Sequence, residues 1–279
     1  MPRTTAGHAA ARKALGRLGL RLGTDADRLI FIGGLSIEHL TGPQTHAHQG
    51  TTDIDALVQL GAVYDRDEDD FGWLEDALRL AGFVPRGGGS RWYASVDDVE
   101  VRIYLLSDVS DSPGQEIGLP GTRLLSSQNL DGPGAAVTDV VTRSIELEHG
   151  EAAPGGPTTV ELRFVGLGGY VLAKASAVLG RTESKDLYDL AFVVLYNSDG
   201  GPAAAGRAAA RALRDVGRGP RQQVVRAAME RFDGQGSVGA QAFSVQRRLD
   251  GDPTEPETLS QDAAAAARLF LRAFEAGLG

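Results

Sequence analysis

The apolar run Leu29-Ile-Phe-Ile32 stops at Gly33-Gly34, and this junction constrains the fold more than any other part of the chain. Consecutive apolar residues closed by two glycines specify a short buried strand and then a tight turn. Past the turn, residues 35–40 read as helical, and a polar loop from Gly42 to Gly50 delivers a second strand over 53–60. A helical pattern over 12–22 precedes the junction. After an acidic segment at 65–70, a helix is expected near 73–81, with strands at 91–95 and 99–106. The reading is α/β (α+β): a mixed sheet flanked by helices.

Residues 107–157 are rich in Gly, Pro, Ser and Asp, with short strands expected near Arg123 and a helix around 137–146. The stretch 150–157 reads as a linker. After one strand at 159–164 the pattern is helical, over 168–179, 184–196, 203–216, 222–232 and 260–276. The expected division is a sheet-bearing core with an N-terminal helix over 1–150 and a mainly helical C-terminal domain over 151–279. With 279 residues and 42% apolar content, each part has enough material for a core.

The chain has no cysteine, which excludes disulfides, thiolate metal sites and cysteine nucleophiles, so oxygen or histidine must hold any metal. No run approaches the roughly 18–20 apolar residues of a membrane span. The N-terminus is basic (Arg3, Arg12, Lys13, Arg17, Arg21) but lacks the apolar segment of a secretory signal, so a cytoplasmic protein without membrane partners is expected. A net charge of -9 weighs against a surface that grips nucleic acid all over. Locally, residues 203–231 carry Arg207, Arg211, Arg214, Arg218, Arg221, Arg226 and Arg231 against only Asp215 and Glu230. Two readings stand for that stretch: a solvated helix face, or a surface for a polyanion.

Asp53 and Asp55 lie at i and i+2 in a β-like segment, which puts both carboxylates on one strand face with Ile54 on the other. Magnesium takes one or two carboxylates together with substrate phosphates, so the pair suits metal-assisted phosphoryl or nucleotidyl transfer. Gly33 and Gly34, with Ser36 close by, would let backbone amides approach an anion without an intervening Cβ. Each feature alone is common; their conjunction carries the reading. His46 and His48 fall in the intervening loop, either solvent-exposed, near a substrate entrance, or as a metal pair. In Val99-Glu-Val-Arg-Ile-Tyr-Leu105, alternation places Glu100, Arg102 and Tyr104 on one face. Glu100 is the acid available there as a third metal ligand, and an ordinary solvent-side strand residue is the alternative.

Downstream, Val171, Leu172, Ala175, Val178 and Leu179 form the apolar stripe of a core-facing helix, with Lys174 beside it. In the segment Ser184-Lys-Asp-Leu-Tyr-Asp189, Ser184 reads as an N-cap. Asp186 and Asp189 share a face. They read either as acids favoured in a first helical turn, with Lys185 and Asp189 as a surface pair, or as a catalytic group. In the second reading the lysine neutralises triphosphate charge and an aspartate orients a hydroxyl or the lysine itself.

Gly33-Gly34-Leu-Ser36, Thr52-Asp-Ile-Asp55 and Lys174 followed by Arg181-Thr-Glu-Ser-Lys-Asp-Leu-Tyr-Asp189 together resemble the AbiEii/AbiGii-type nucleotidyltransferase toxins, including the related mycobacterial toxins. The resemblance spans residues 28–195, and the late block is its most specific part. It implies a nucleotidyltransferase core and a helical domain that completes the active site, with an NTP as cosubstrate and Mg2+ (or Mn2+) as cofactor. It also implies an RNA acceptor, in several members the tRNA 3' end, and neutralisation by a partner antitoxin in a toxin-antitoxin pair. By position, Asp53 and Asp55 would bind metal, and Gly33, Gly34 and Ser36 would contact phosphate. Lys174 and Lys185 would contact the nucleotide, and Asp186 or Asp189 would support catalysis. The chain departs from the pattern where the serine follows Gly34 by two residues and where the third-aspartate strand offers Glu100, Arg102 and Tyr104. Three functions follow as expectations: NMP transfer to RNA, a nucleotide- or partner-binding protein of the same fold that has lost turnover, or transfer to a small molecule such as an aminoglycoside.

Overall fold

Strand β1 (Leu29–Ile32) is buried at every position and lies between two partners of opposite direction. β2 (Asp53–Val58) runs antiparallel to it, with Ile32 opposite Asp55, and β9 (Thr159–Val165) runs parallel, with Phe31 opposite Phe164. A strand paired on both edges and covered on both faces tolerates an unbroken apolar run. These assignments come from a computed structural model that describes residues 4–43, 48, 50–60, 68–152, 154–181, 183–216 and 219–279.

The rest of the sheet builds outward from this centre. β5 (Val99–Ser107) lies parallel to β2 and antiparallel to β4 (Arg91–Val96), which pairs with β3 (Val84–Pro85). β6 (Glu116–Gly118) and β7 (Ser126–Asn129) attach beside the end of β5, and β8 (Val140–Glu146) closes the far edge. The order β3-β4-β5-β2-β1-β9-β8 mixes parallel and antiparallel neighbours. Helix α1 (Thr5–Leu22) packs on β4 and β5 and against α3 (Gly72–Leu80). Between them sits a core containing Leu15, Leu18, Ile54, Trp92, Val101 and Ile103. Fully burying one such side chain contributes about 1.5–3 kcal/mol.

The chain divides into two units, one made of Met1–Ser36, Gln49–Gly134 and Val140–Phe164, the other of Ile37–His48, Ala135–Asp139 and Val165–Gly279. The first therefore runs on through β9 instead of ending at 150, because β9 supplies a neighbour for β1. The helix expected around 137–146 is also absent. A 3-10 turn at Pro133–Thr138 leads into β8, whose spaced valines and Ile145 mimic a helical period. At a sheet edge only Ile145 is buried, so no alternation marks the strand.

The second unit is helical: α2 (Ile37–Leu40), α4 (Leu167–Gly180), α5 (Ser184–Tyr196), α6 (Gly201–Val216), α7 (Gly219–Glu230), α8 (Val238–Leu249) and α9 (Pro256–Leu278). Alanine in α6 serves packing as well as propensity. A Cβ at Gly206 would stand 2.4 Å from the carbonyl oxygen of Phe270, so α6 and α9 meet nearly backbone to backbone. Among the described residues no helix is long and apolar enough to cross a membrane.

Candidate functional site

In the first unit, Asp53 and Asp55 stand on one face of β2 while Ile54 is fully buried on the other. The strand's entry is fixed locally: the Asp53 amide donates to Thr51 Oγ1 at 3.0 Å, and the Arg102 amide donates to the Thr52 carbonyl at 3.2 Å. Gly33 meets the pair directly. Its φ of 76° lies in the left-handed region, and a Cβ there would fall 2.0 Å from Asp55 Oδ2. Glycine is thus demanded twice at this position, by backbone conformation and by the carboxylate seated against it. Two hard oxygen donors on one strand face fit a magnesium or manganese ion that completes its shell with phosphate and water. No group of three His, Cys, Asp or Glu able to hold a metal occurs among the described residues, so Glu100 does not complete a triad with the pair.

Parallel pairing sets Asp53 beside Arg102 and Asp55 beside Tyr104. The Arg102 guanidinium donates to Asp53 Oδ1 at 2.9 Å. Burial disfavours the arginine's charge, and Asp53 and the neighbouring tyrosines outweigh that effect, so Arg102 stays charged. The Tyr104 hydroxyl is pushed above its ordinary value, first by burial and then by Asp53. Glu100, the candidate third ligand, instead pairs with Arg86. Where the chemistry invites a third carboxylate, the sheet presents a cation.

In the second unit a buried ionic cluster joins α4 and α5. Lys174 donates to Asp186 Oδ1 at 3.0 Å and to Asp189 Oδ2 at 3.3 Å, Arg181 donates to Asp186 Oδ2 at 2.7 Å, and His48 Nε2 lies 2.9 Å from Asp189 Oδ1. Both aspartates are 0% exposed. Burial works against the Lys174 charge, but Tyr170, Asp189 and Asp186 outweigh it and hold the ammonium above the usual lysine value. Burial likewise opposes ionisation of Asp186, and Lys174 and Arg181 overcome it, lowering its value. An ammonium shared by two carboxylates is fixed in place as well as kept charged.

Several expectations change with this geometry. Asp186 and Asp189 are not surface acids, and Asp189 pairs with Lys174 and His48 in the interior, whereas Lys185 is exposed. Ser184 is the first helical residue and not the N-cap, a place taken by Glu183. The His48 side chain is not solvent-exposed. Its ring stacks 5.3 Å from Tyr188 and meets Phe192 edge-on at 5.2 Å, because Asp189 satisfies its nitrogen inside an aromatic wall. Ser36 is fully buried and its hydroxyl donates to the Phe31 carbonyl at 3.2 Å, so it closes the turn instead of facing a phosphate. The turn leads into a helix of only four residues. His46 and Arg218 lie outside the described residues. Within the basic stretch, Arg207, Arg211 and Arg214 are exposed on α6 at helical spacing, while Arg226 grips Glu275 through two 2.6 Å bonds.

The His48–Asp189 contact was out of reach of sequence reasoning, since the two are 141 positions apart and a loop histidine carries no periodic signal. A scan against protein-family models, a search of curated proteins and a search of solved structures each return no match.

Proposed function

We propose that the protein is a magnesium-dependent nucleotidyltransferase of the toxin type, which moves NMP from an NTP to an RNA acceptor, the tRNA 3' end being the favoured one, and releases pyrophosphate. The observation that carries the reading is the pair Asp53 and Asp55 on one strand face with Gly33 against the Asp55 carboxylate. When bound there, a divalent ion supplies Lewis-acid stabilisation of phosphoryl oxygens. Asp53 and Asp55 would hold it, with Gly33 packed against the Asp55 carboxylate and Gly34 against Thr51. The resemblance assigns a nucleotide contact to Lys174, which Asp186 and Asp189 keep charged within the second unit. A cytoplasmic setting and an antitoxin partner belong to the same proposal.

The test is incubation of the whole chain with each labelled NTP, Mg2+ and total RNA. Label should enter RNA with one or more nucleotides, and Asp53→Ala and Asp55→Ala should lower transfer by at least about 100-fold, the scale of losing a principal electrostatic element. Transfer that persists in Asp53→Ala overturns the proposal. A second reading, a nucleotide-binding protein without turnover, is favoured by one observation, the Arg102 guanidinium on Asp53. NTP binding by calorimetry without product from RNA or small-molecule acceptors distinguishes it.

A further inference from the structure

The strand face that carries Asp53 and Asp55 continues, within the first unit, across β5 and β4. Register aligns Asp53 with Arg102 and then Tyr93, and Asp55 with Tyr104 and then Arg91. Two rows of side chains therefore lead away from the acid pair, each holding one tyrosine and one arginine. Arg86, just past β3, joins them. Each guanidinium sits over a ring: Arg86 at 4.9 Å from the Tyr93 centroid, and Arg91 at 5.6 Å and Arg102 at 6.0 Å from that of Tyr104.

The core does not require this composition. The opposite side of the same strands is already filled by Trp92, Ala94, Val96, Val101, Ile103 and Leu105. Tyr93 and Tyr104 remain half-buried, Arg91 is exposed, and Arg86 is exposed though paired with Glu100, so a nucleic acid backbone would share Arg86 with that carboxylate while the aromatic surfaces face outward. Bases stack on such surfaces whatever their sequence, and arginine adds cation–π attraction and reaches phosphate.

We infer that the β4–β5 face is a stacking surface for single-stranded nucleic acid, with Tyr93 and Tyr104 receiving successive unpaired bases and Arg86 and Arg91 engaging the backbone. Tyr93 and Tyr104 are diagonal neighbours on adjacent antiparallel strands, about 7–8 Å apart, which places them within reach of neighbouring nucleotides of one extended strand. The inference deepens the proposed function by naming how an acceptor is held, and it rests on that reading only for which end of the strand points at Asp53. Duplexes present no open base faces and lack this recognition.

The test is fluorescence anisotropy on the full chain in EDTA without NTP, using a fluorescein-labelled 12-nucleotide RNA, the DNA of the same sequence, and the RNA duplex. Single strands should bind at least about 10-fold tighter than the duplex, and the RNA and DNA arms show whether the ribose hydroxyl contributes. Tyr93→Leu and Tyr104→Leu should each weaken binding by about 5- to 100-fold, the range for losing one stacked base, while Tyr→Phe at either position stays within about twofold. Duplex binding equal to single-strand binding, no single-strand binding, or Leu variants of unchanged thermal midpoint that bind like the wild type would overturn the inference. Should the Leu variants not fold, photo-crosslinking of a 5-iodouracil oligonucleotide to the unaltered protein decides: adducts on Tyr93 or Tyr104 support it, and adducts confined to other peptides overturn it. Metal and NTP are absent throughout, so failure of nucleotidyl transfer and failure of strand binding are separate results.

Discussion

The guanidinium of Arg102 holds the carboxylate of Asp53, its parallel cross-strand neighbour, at 2.9 Å. Any cation that uses Asp53 must share that carboxylate with Arg102. Arg102→Gln removes the competing charge, and partly exposed pairs of this kind are worth up to about 1 kcal/mol. The Mg2+ concentration for half-maximal nucleotide binding should therefore fall by about 3- to 5-fold, as measured by titration calorimetry. An unchanged or higher magnesium requirement contradicts the competition.

Gly33→Ala should be costly. The substitution forces an L side chain into the left-handed region and onto Asp55 Oδ2, two penalties that together reach about 2–4 kcal/mol. The urea midpoint should drop, and NTP binding should be lost with it. Gly118→Ala is the control, because a Cβ there meets nothing within 4 Å, and it should shift stability by less than about 0.5 kcal/mol.

Lys174→Met leaves the aspartates of the buried cluster without their shared ammonium, and removing one partner of such a group costs about 3–5 kcal/mol. Chemical denaturation followed by helix signal reads the loss. Replacing Lys174 and Asp186 together, by Met and Leu, should recover part of it, and a double variant no better than the single would show that the charges are not coupled.

The same cluster fixes a pH dependence. A lysine raised in the folded state contributes stability that is fully present below its unfolded value of 10.5 and lost as pH rises through the higher folded value. Asp186 is lowered, so its contribution is present above 3.8 and lost as pH falls through its lower folded value. The denaturation midpoint should thus be level around neutrality and decline on the acid side below about pH 4. In Asp186→Asn that acid limb should be shallower; an equally steep limb assigns acid sensitivity to other carboxylates.

If RNA is the acceptor, Arg207, Arg211 and Arg214 on the exposed side of α6 are phosphate contacts. Changing all three to Gln should flatten the slope of log affinity against log salt by about 2, at about 0.7 per contact for single strands. Filter binding over a salt series measures it, and an unaltered slope leaves these arginines as a solvated face.

What could be read from the chain follows what each element does in space. Leu29-Ile-Phe-Ile32 was legible because its strand is covered on both sides, and the shared face of Asp53 and Asp55 follows from a period of two. Helix α8 gave no apolar stripe: its Val238, Val245 and Leu249 are exposed, while Gly239, Ser244 and Arg247 are buried. Arg247 survives inside because it is bonded to Asp252. An aspartate orienting Lys174 is one of the two readings the sequence allows, but neither the choice of both Asp186 and Asp189 nor their burial can be read from it, since an acid early in a helix looks the same whether water or a lysine faces it.

The place of β9 beside β1 sets a clock on synthesis. Phe31 leaves the ribosome long before Phe164, its eventual neighbour, has been made. At about 5–20 residues per second, the nascent sheet spends on the order of ten seconds with its central strand lacking one flank. Through that interval an apolar edge of four residues is open to any other extended chain, the kind of exposure that chaperones cover during synthesis.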